Sequence, residues 1–292
     1  MFQTLAIMNP TVRFDDVDIL VNRNTLQKLY RFAEYKRSYT QFFVDLDMVG
    51  RAMYIGRREK NTKIQVHAGH GRNFEKMFTT EDQDLVDVDG HHPVVGYQLG
   101  GLNIMVRMEA DGYYDEKELA NSDDADEFFR NFLGVVGSAS EAIPHSDHCH
   151  TQIITRGKLM SHNSSLELKC NHPNAESIQQ IWFGRVPHTI YGRHKAGIVG
   201  TLEELHWKHD FQKWATVPQN QVSLRRLVWL LEEMRKLVVE KTNGHAVLVA
   251  MERGAPLQVF QAKQSWGALP REIIERFWEG AAKPCNRDDY FM

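Results

Sequence analysis

The sequence predicts a mixed α/β fold, equally describable as α+β, with a mixed β-sheet core flanked by helices. Three observations lead there. Short alternating or apolar runs recur along the chain with Gly-containing turns between them. Helical patterns fall between these runs in irregular order, which fits a mixed sheet better than an all-parallel one. Residues 223–241 (SLRRLVWLLEEMRKLVVEK) form a strongly amphipathic run, long enough for a major helix.

In chain order, residues 17–23 (VDILVNR) read as a short strand leading to a helix near 25–34. The alternating runs 39–47 and 51–57, split by Val49-Gly50, read as a hairpin. Residues 71–80 read as a helix because Phe74 and Phe78 lie one turn apart. Strands follow at 94–99 and 102–111, with Gly100-Gly101 as their turn. A strand at 164–170, a helix at 174–184 and a strand at 187–192 precede the long helix, on which Trp229 reads as a core residue. Strands at 245–251 and 256–262, with Gly254 near their turn, close the fold. The acidic stretch 115–129, a Gly/Ser stretch and HSDHCH at 145–150 mark 112–163 as an insertion, partly helical over 126–136. The whole chain, 1–292, reads as a single domain.

Composition narrows the function classes. Hydrophobic residues make up 42% and charged residues 25% of the 292, an ordinary globular balance. The net charge of −3 gives no global basic field, so any contact with nucleic acid needs a local patch. RREKNTK (57–63), Arg185 and RHK (193–195) are the candidate stretches. Three scattered cysteines, Cys149, Cys170 and Cys285, fit a reducing compartment, the nucleus or cytoplasm. The chain has no run of 18 apolar residues, so no membrane span is expected.

The chemistry concentrates on two strands. On 103–111 (NIMVRMEAD), alternation turns Ile104, Val106, Met108 and Ala110 to one face and Arg107, Glu109 and Asp111 to the other. Two carboxylates this close repel unless a cation lies between them. On 164–170, Leu166, Leu168 and Cys170 face one way and Ser165, Glu167 and Lys169 the other. Each motif alone is common on protein surfaces. Paired side by side, the strands bring three carboxylates and one ammonium together. An oxygen-rich cluster of that kind suits Mg²⁺ or Mn²⁺, and the ammonium suits an attacking water or a developing phosphoryl charge. An acidic strand followed by a Glu-x-Lys strand resembles the PD-(D/E)XK nuclease arrangement. Glu75 on helix 71–80 and Gln180 on helix 174–184 lie at the margins of their packing faces, within reach of such a patch. HSDHCH is rich in ligand types but too crowded for a typical tetrahedral site, and reads as a polar loop.

An ordered series of segments then resembles the DXO-like decapping nucleases, which include the partner of the nuclear 5′→3′ exoribonuclease. The series is VNRNTLQKL (21–29), FFVDLDMVGRAMYIGRRE (42–59), GRNFEKMF (71–78), MEADG (108–112), LELKC (166–170) and QIWFGRVPHTIYGRH (180–194). With the C-terminal helix and hairpin, which fit the family's closing elements, the resemblance covers about residues 17–262, apart from the insertion, and the gap from Asp111 to Glu167 is longer than in better-known members.

The resemblance implies two divalent ions, Mg²⁺ or Mn²⁺. Glu109, Asp111, Glu167 and the Leu168 carbonyl would hold one, and Glu75 with Asp111 the second. Lys169 and Gln180 would position the nucleophile or the scissile phosphate, and Arg23 would contact the RNA. It implies an mRNA-decapping hydrolase or nuclease that binds RNA and nucleotide caps. Such an enzyme removes incomplete or NAD caps or pyrophosphate, with or without 5′→3′ exonuclease activity, and leaves 5′-monophosphate RNA. An exoribonuclease is the implied partner. A PD-(D/E)XK enzyme acting on DNA would share the same patch and differ in its groove; a non-catalytic RNA-end-binding adaptor is the other alternative, against which the intact Glu75, Glu109, Asp111, Glu167 and Lys169 argue.

Overall fold

The computed structural model describes residues 1–34, 41–58, 69–80, 85, 90–114, 153–154, 156, 160–251, 255–262 and 269–278. Its elements, in order, are α1 (Phe2–Met8), β1 (Ile19–Asn22), α2 (Arg23–Ala33), β2 (Phe42–Val49), β3 (Ala52–Arg58) and α3 (Gly71–Phe78). Next come β4 (Val94–Leu99), β5 (Leu102–Arg107), β6 (Gly112–Tyr113), β7 (Ser165–Cys170), α4 (Ala175–Gly184), β8 (His188–Lys195) and β9 (Ile198–His206). The chain continues through α5 (Gln212–Thr216), α6 (Pro218–Lys241), β10 (His245–Ala250), β11 (Gln258–Gln261) and α7 (Arg271–Phe277). The expected helix over 126–136, the HSDHCH segment and the Gly254 turn lie outside the described residues.

Among the described residues, the strands form two mixed sheets, as the mixed α/β reading expects. One has the order β11-β10-β2-β3-β1-β5-β4, the other β6-β7-β8-β9. In the larger sheet β1 runs parallel to both β3 and β5. Both faces of this sheet are covered, so β1 carries the unbroken apolar run Ile-Leu-Val. Ile19 and Val21 enter a core with Leu26, Leu29 and Tyr30 of α2, Ile181 and Phe183 of α4, and Leu227, Leu231 and Val238 of α6. Leu20 faces the other way, into a cluster with Phe2, Phe14, Phe277 and Trp278. Trp229 is a correction to the sequence reading. It is 62% exposed, because the buried stripe of α6 runs through Leu224, Leu227, Leu231, Met234 and Val238 and leaves position 229 on the opposite side.

The smaller sheet positions the candidate site. β7 and β8 are parallel, which requires a crossover, and α4 supplies it. Asn174 caps α4 by accepting from Ser177 N–H at 2.8 Å while its own N–H donates to Ser177 Oγ at 3.0 Å. Helix α3 lies on the other face, where Phe74 packs with Leu166 and Leu168. Phe74 occupies the space a side chain at Gly192 would need: a Cβ there would stand 2.2 Å from Phe74 Cε2. Phe78 is exposed and touches Phe74 ring to ring at 4.6 Å.

The expected strand 103–111 is broken. It ends as β5 at Arg107, and the chain then leaves the large sheet for the small one. Met108 N–H still bonds to Pro93 and Ala110 N–H to His91, but Asp111 N–H bonds to Leu166 of β7. Gly112 and Tyr113 also belong to the smaller sheet, as partners of Leu166 and Ser165. At its other end, residues 162–164 already form a turn leading into β7. Among the described residues, no helix is long and apolar enough to cross a membrane.

Candidate active site

Glu167 is the centre of the cluster. Its position on β7 turns it away from the Leu166/Leu168 face, as the period of two requires, and it is fully buried. A buried carboxylate is costly unless it is paired and hydrogen-bonded. Here Oε2 accepts from Arg23 Nη1 at 2.9 Å, and Oε1 accepts from Lys169 Nζ and Gln180 Nε2, each at 2.5 Å. Arg23 stands at the first turn of α2, just past the end of β1, and a second guanidinium nitrogen lies 3.5 Å from Oε1. Its stem passes over Gly184, where a Cβ would come within 3.1 Å of Arg23 Cδ. Three elements, α2, β7 and α4, thus meet on one carboxylate.

Asp111 joins from the strand edge. Its Oδ2 accepts the backbone N–H of Leu168 at 2.8 Å and lies 3.7 Å from Lys169 Nζ. The N–H and C=O of one strand residue point to the same edge, so the Leu168 carbonyl faces the Asp111 side. Asp111 therefore sits between the two faces of β7. On one face are Glu167 and Lys169, and on the other is α3 with Glu75.

The electrostatics follow from this crowding. Burial, then the charge of Glu167, pushes the Asp111 carboxyl up to about 7, with Glu75 adding to the rise. Lys169 and the Leu168 N–H oppose it without cancelling it. For Glu167, burial raises the pKa, but Arg23 and Lys169 outweigh burial and hold it below the ordinary carboxylate range. For Lys169, burial acts downward, yet Glu167 and Asp111 hold its ammonium above the usual lysine value.

The structure thus brings Arg23, Asp111, Glu167, Lys169 and Gln180 into one network, with Glu75 close enough for its charge to act on Asp111. Glu109 lies outside that network. It is exposed, and its Oε1 is 3.1 Å from where a Gly90 Cβ would stand. Arg23 is engaged by Glu167 rather than standing open in a cleft. The expected basic patch is largely committed too. Arg58 pairs with Asp45 and Arg193 with Glu203. The Arg185 guanidinium lies 4.1 Å from the Tyr97 ring centroid and 4.2 Å from that of Trp182. Residues 59–63 lie outside the described residues. Sequence reasoning missed Tyr191, which pairs across from Lys169 and donates to Ser177 Oγ at 3.0 Å. The alternation Thr189, Tyr191 on the buried face of β8 was the available signal.

The donor set fits a hard divalent ion. Every candidate ligand is an oxygen, and Asp111 stands close enough to both Glu167 and Glu75 for their charges to act on it, the crowding of carboxylates that a shared cation relieves.

Comparison with known proteins sets this geometry in context. No curated protein matches the chain by sequence. Among solved structures, Rai1 from Scheffersomyces stipitis, in complex with (3′-NADP)⁺ and calcium ion, matches with a TM-score of 0.59 at 10% identity, covering 94% of this chain and 77% of that one. Rai1 from Candida albicans, in complex with pU5-Mn²⁺, matches at 0.56 and 12%, covering 89% and 74%. Dxo1 from K. lactis, in complex with manganese, matches at 0.52 and 11%, covering 91% and 71%. These similarities establish a shared Rai1/Dxo1 fold, the one expected from the motif series. A family model described as a domain of unknown function, DUF8563, matches residues 1–278, and the chain belongs to that family.

Proposed function

We propose that this protein is a divalent-metal-dependent hydrolase of RNA 5′ ends, which removes incomplete or NAD caps or pyrophosphate and leaves 5′-monophosphate RNA. The observation that carries the reading is the meeting of Asp111 with Glu167 and Lys169 at the edge of β7, with Glu75 approaching from the other face. The Rai1/Dxo1 fold supports it. So do the ligands of its structural neighbours: an RNA-like pU5 with Mn²⁺ in one, (3′-NADP)⁺ with calcium in another.

In this reading, Asp111, Glu167 and the Leu168 carbonyl would hold one Mg²⁺ or Mn²⁺ and Glu75 with Asp111 a second, with the exposed Glu109 turning in from the rim. A bound divalent ion activates water and stabilises developing charge on phosphate oxygens. The protein's own groups do the remainder. Arg23 holds the Glu167 carboxylate in a fixed plane through two guanidinium nitrogens. Lys169 keeps its ammonium charged beside the place where phosphoryl charge develops. The Gln180 amide, fixed on a capped helix, orients Glu167 and the incoming phosphate.

The test is end-group analysis of products from NAD-capped, incompletely capped and triphosphorylated RNA, run beside duplex DNA with Mn²⁺ present. Release of 5′-monophosphate RNA from at least one RNA substrate is expected. Cleavage of DNA alone would reassign the substrate. RNA binding with no product from any substrate would make the protein an adaptor.

A further inference from the structure

A second cluster lies on the α3 face of the small sheet, away from Glu167. His188 of β8 and His206 of β9 are direct cross-strand partners, with ring centroids 5.1 Å apart. Glu204, two residues before His206, shares their face. Nδ1 of His188 lies 3.6 Å from Glu204 Oε1, and Nε2 of His206 lies 3.8 Å from the same oxygen. The three ligand atoms all lie within 4.8 Å of one another.

The hydrogen bonds around His188 fix its tautomer. Its Nε2 is 3.1 Å from the backbone carbonyl of Asn163, which only accepts, so the proton sits on Nε2. Nδ1 is left as a bare lone pair, buried and without a hydrogen-bond partner. It faces a carboxylate oxygen, another acceptor, beyond hydrogen-bond range. Tyr114 Oη donates to that oxygen at 3.0 Å and holds it in place. Two imidazoles and a carboxylate pointed at one spot offer three ligand atoms to a shared cation. One proton would serve only one ring. An imidazole anchored through its far N–H to a carbonyl is also how metal-binding histidines are held.

We propose that His188, Glu204 and His206 bind one divalent ion of the zinc class, with a fourth position left open to solvent. Two ligands on a tetrahedral zinc, each about 2.0–2.1 Å from it, stand about 3.4 Å apart, so small rotations of the exposed His206 and Glu204 close the site. Imidazole ligands favour zinc over the Mg²⁺ or Mn²⁺ suited to the oxygen-only site. The ion would tie β8 to β9 and, through Asn163, to the turn that feeds β7, the strand bearing Glu167 and Lys169.

The test is calorimetric titration of metal-stripped full-length protein with Zn²⁺, checked by Co²⁺ absorption and by melting temperature. His206→Ala and Glu204→Gln alter half-exposed positions and leave the core intact. Wild type should bind zinc and melt higher with it, Asp111→Asn should do the same, and both cluster variants should bind at least 100-fold more weakly. Absence of zinc binding by wild type, or unchanged binding in His206→Ala and Glu204→Gln, overturns the proposal. The second result would place the ion elsewhere, as in the His-rich 145–150 segment.

Discussion

Asp111 Oδ2 accepts the backbone N–H of Leu168 at 2.8 Å, across 57 positions of sequence. The carboxylate thereby takes the place of the next backbone acceptor on the edge of β7, just before β6 begins. The bond fixes Asp111 between two groups that cannot otherwise meet: Glu167 and Lys169 on one face of β7, α3 with Glu75 on the other.

That position predicts a pH dependence. Asp111 is raised from 3.8 to about 7 in the folded chain, by burial first and by Glu167 next. The folded state therefore holds this proton more tightly than the unfolded state. Its contribution to stability is present below about pH 4 and is lost as pH rises to about 7. Chelator-treated Asp111→Asn should gain stability over wild type between pH 5 and 7.5, by up to about 4 kcal/mol. Urea unfolding at several pH values measures this, and a pH-independent difference would remove Asp111 from the crowded site.

Arg23 predicts a different loss. Removing it leaves the buried Glu167 with Lys169 and Gln180 alone. Arg23→Ala should cost about 3 kcal/mol, the low end for breaking a buried pair, because two donors remain. Arg23→Lys should recover only part, since an ammonium lacks the fork that spans both oxygens. Denaturant midpoints decide this, and a fully stable Arg23→Ala would mean the pair contributes nothing.

Gly192 predicts a packing effect on the site. A methyl there would overlap the Phe74 ring, 2.2 Å from Cε2 and 2.5 Å from Cζ. Gly192→Ala should destabilise by about 1–3 kcal/mol and lower turnover by displacing α3 and Glu75. Phe74→Leu in the same chain should recover part of the loss. Equal, additive losses in the two single variants would separate Gly192 from α3.

Much of this site was legible because strands alternate and sequence order constrains neighbours. The Glu167/Lys169 face and the Leu166/Leu168 face came out of the period of two, and both are observed. Less legible was the passage from one sheet to the other. A run that alternates through 103–111 carries no sign that its partner changes after Arg107. That change sets Asp111 apart from Glu109, which alternation alone had placed together. Strand β9 was missed because IVGTLEELH mixes charge and Gly on a largely exposed face. Helices α1 and α7 were missed because each is seven residues long, too short for periodicity to show. Trp229 was misplaced because a single aromatic residue says less about the buried side than the Leu/Met/Val stripe around it.

The most direct measurement is turnover of 5′-modified RNA against Mn²⁺ concentration, for wild type and Asp111→Ala together. The account predicts saturable, chelator-sensitive release of 5′-monophosphate RNA by wild type. It predicts no detectable release by the variant at any Mn²⁺ concentration, with RNA binding retained. Near-normal rates in Asp111→Ala would contradict it.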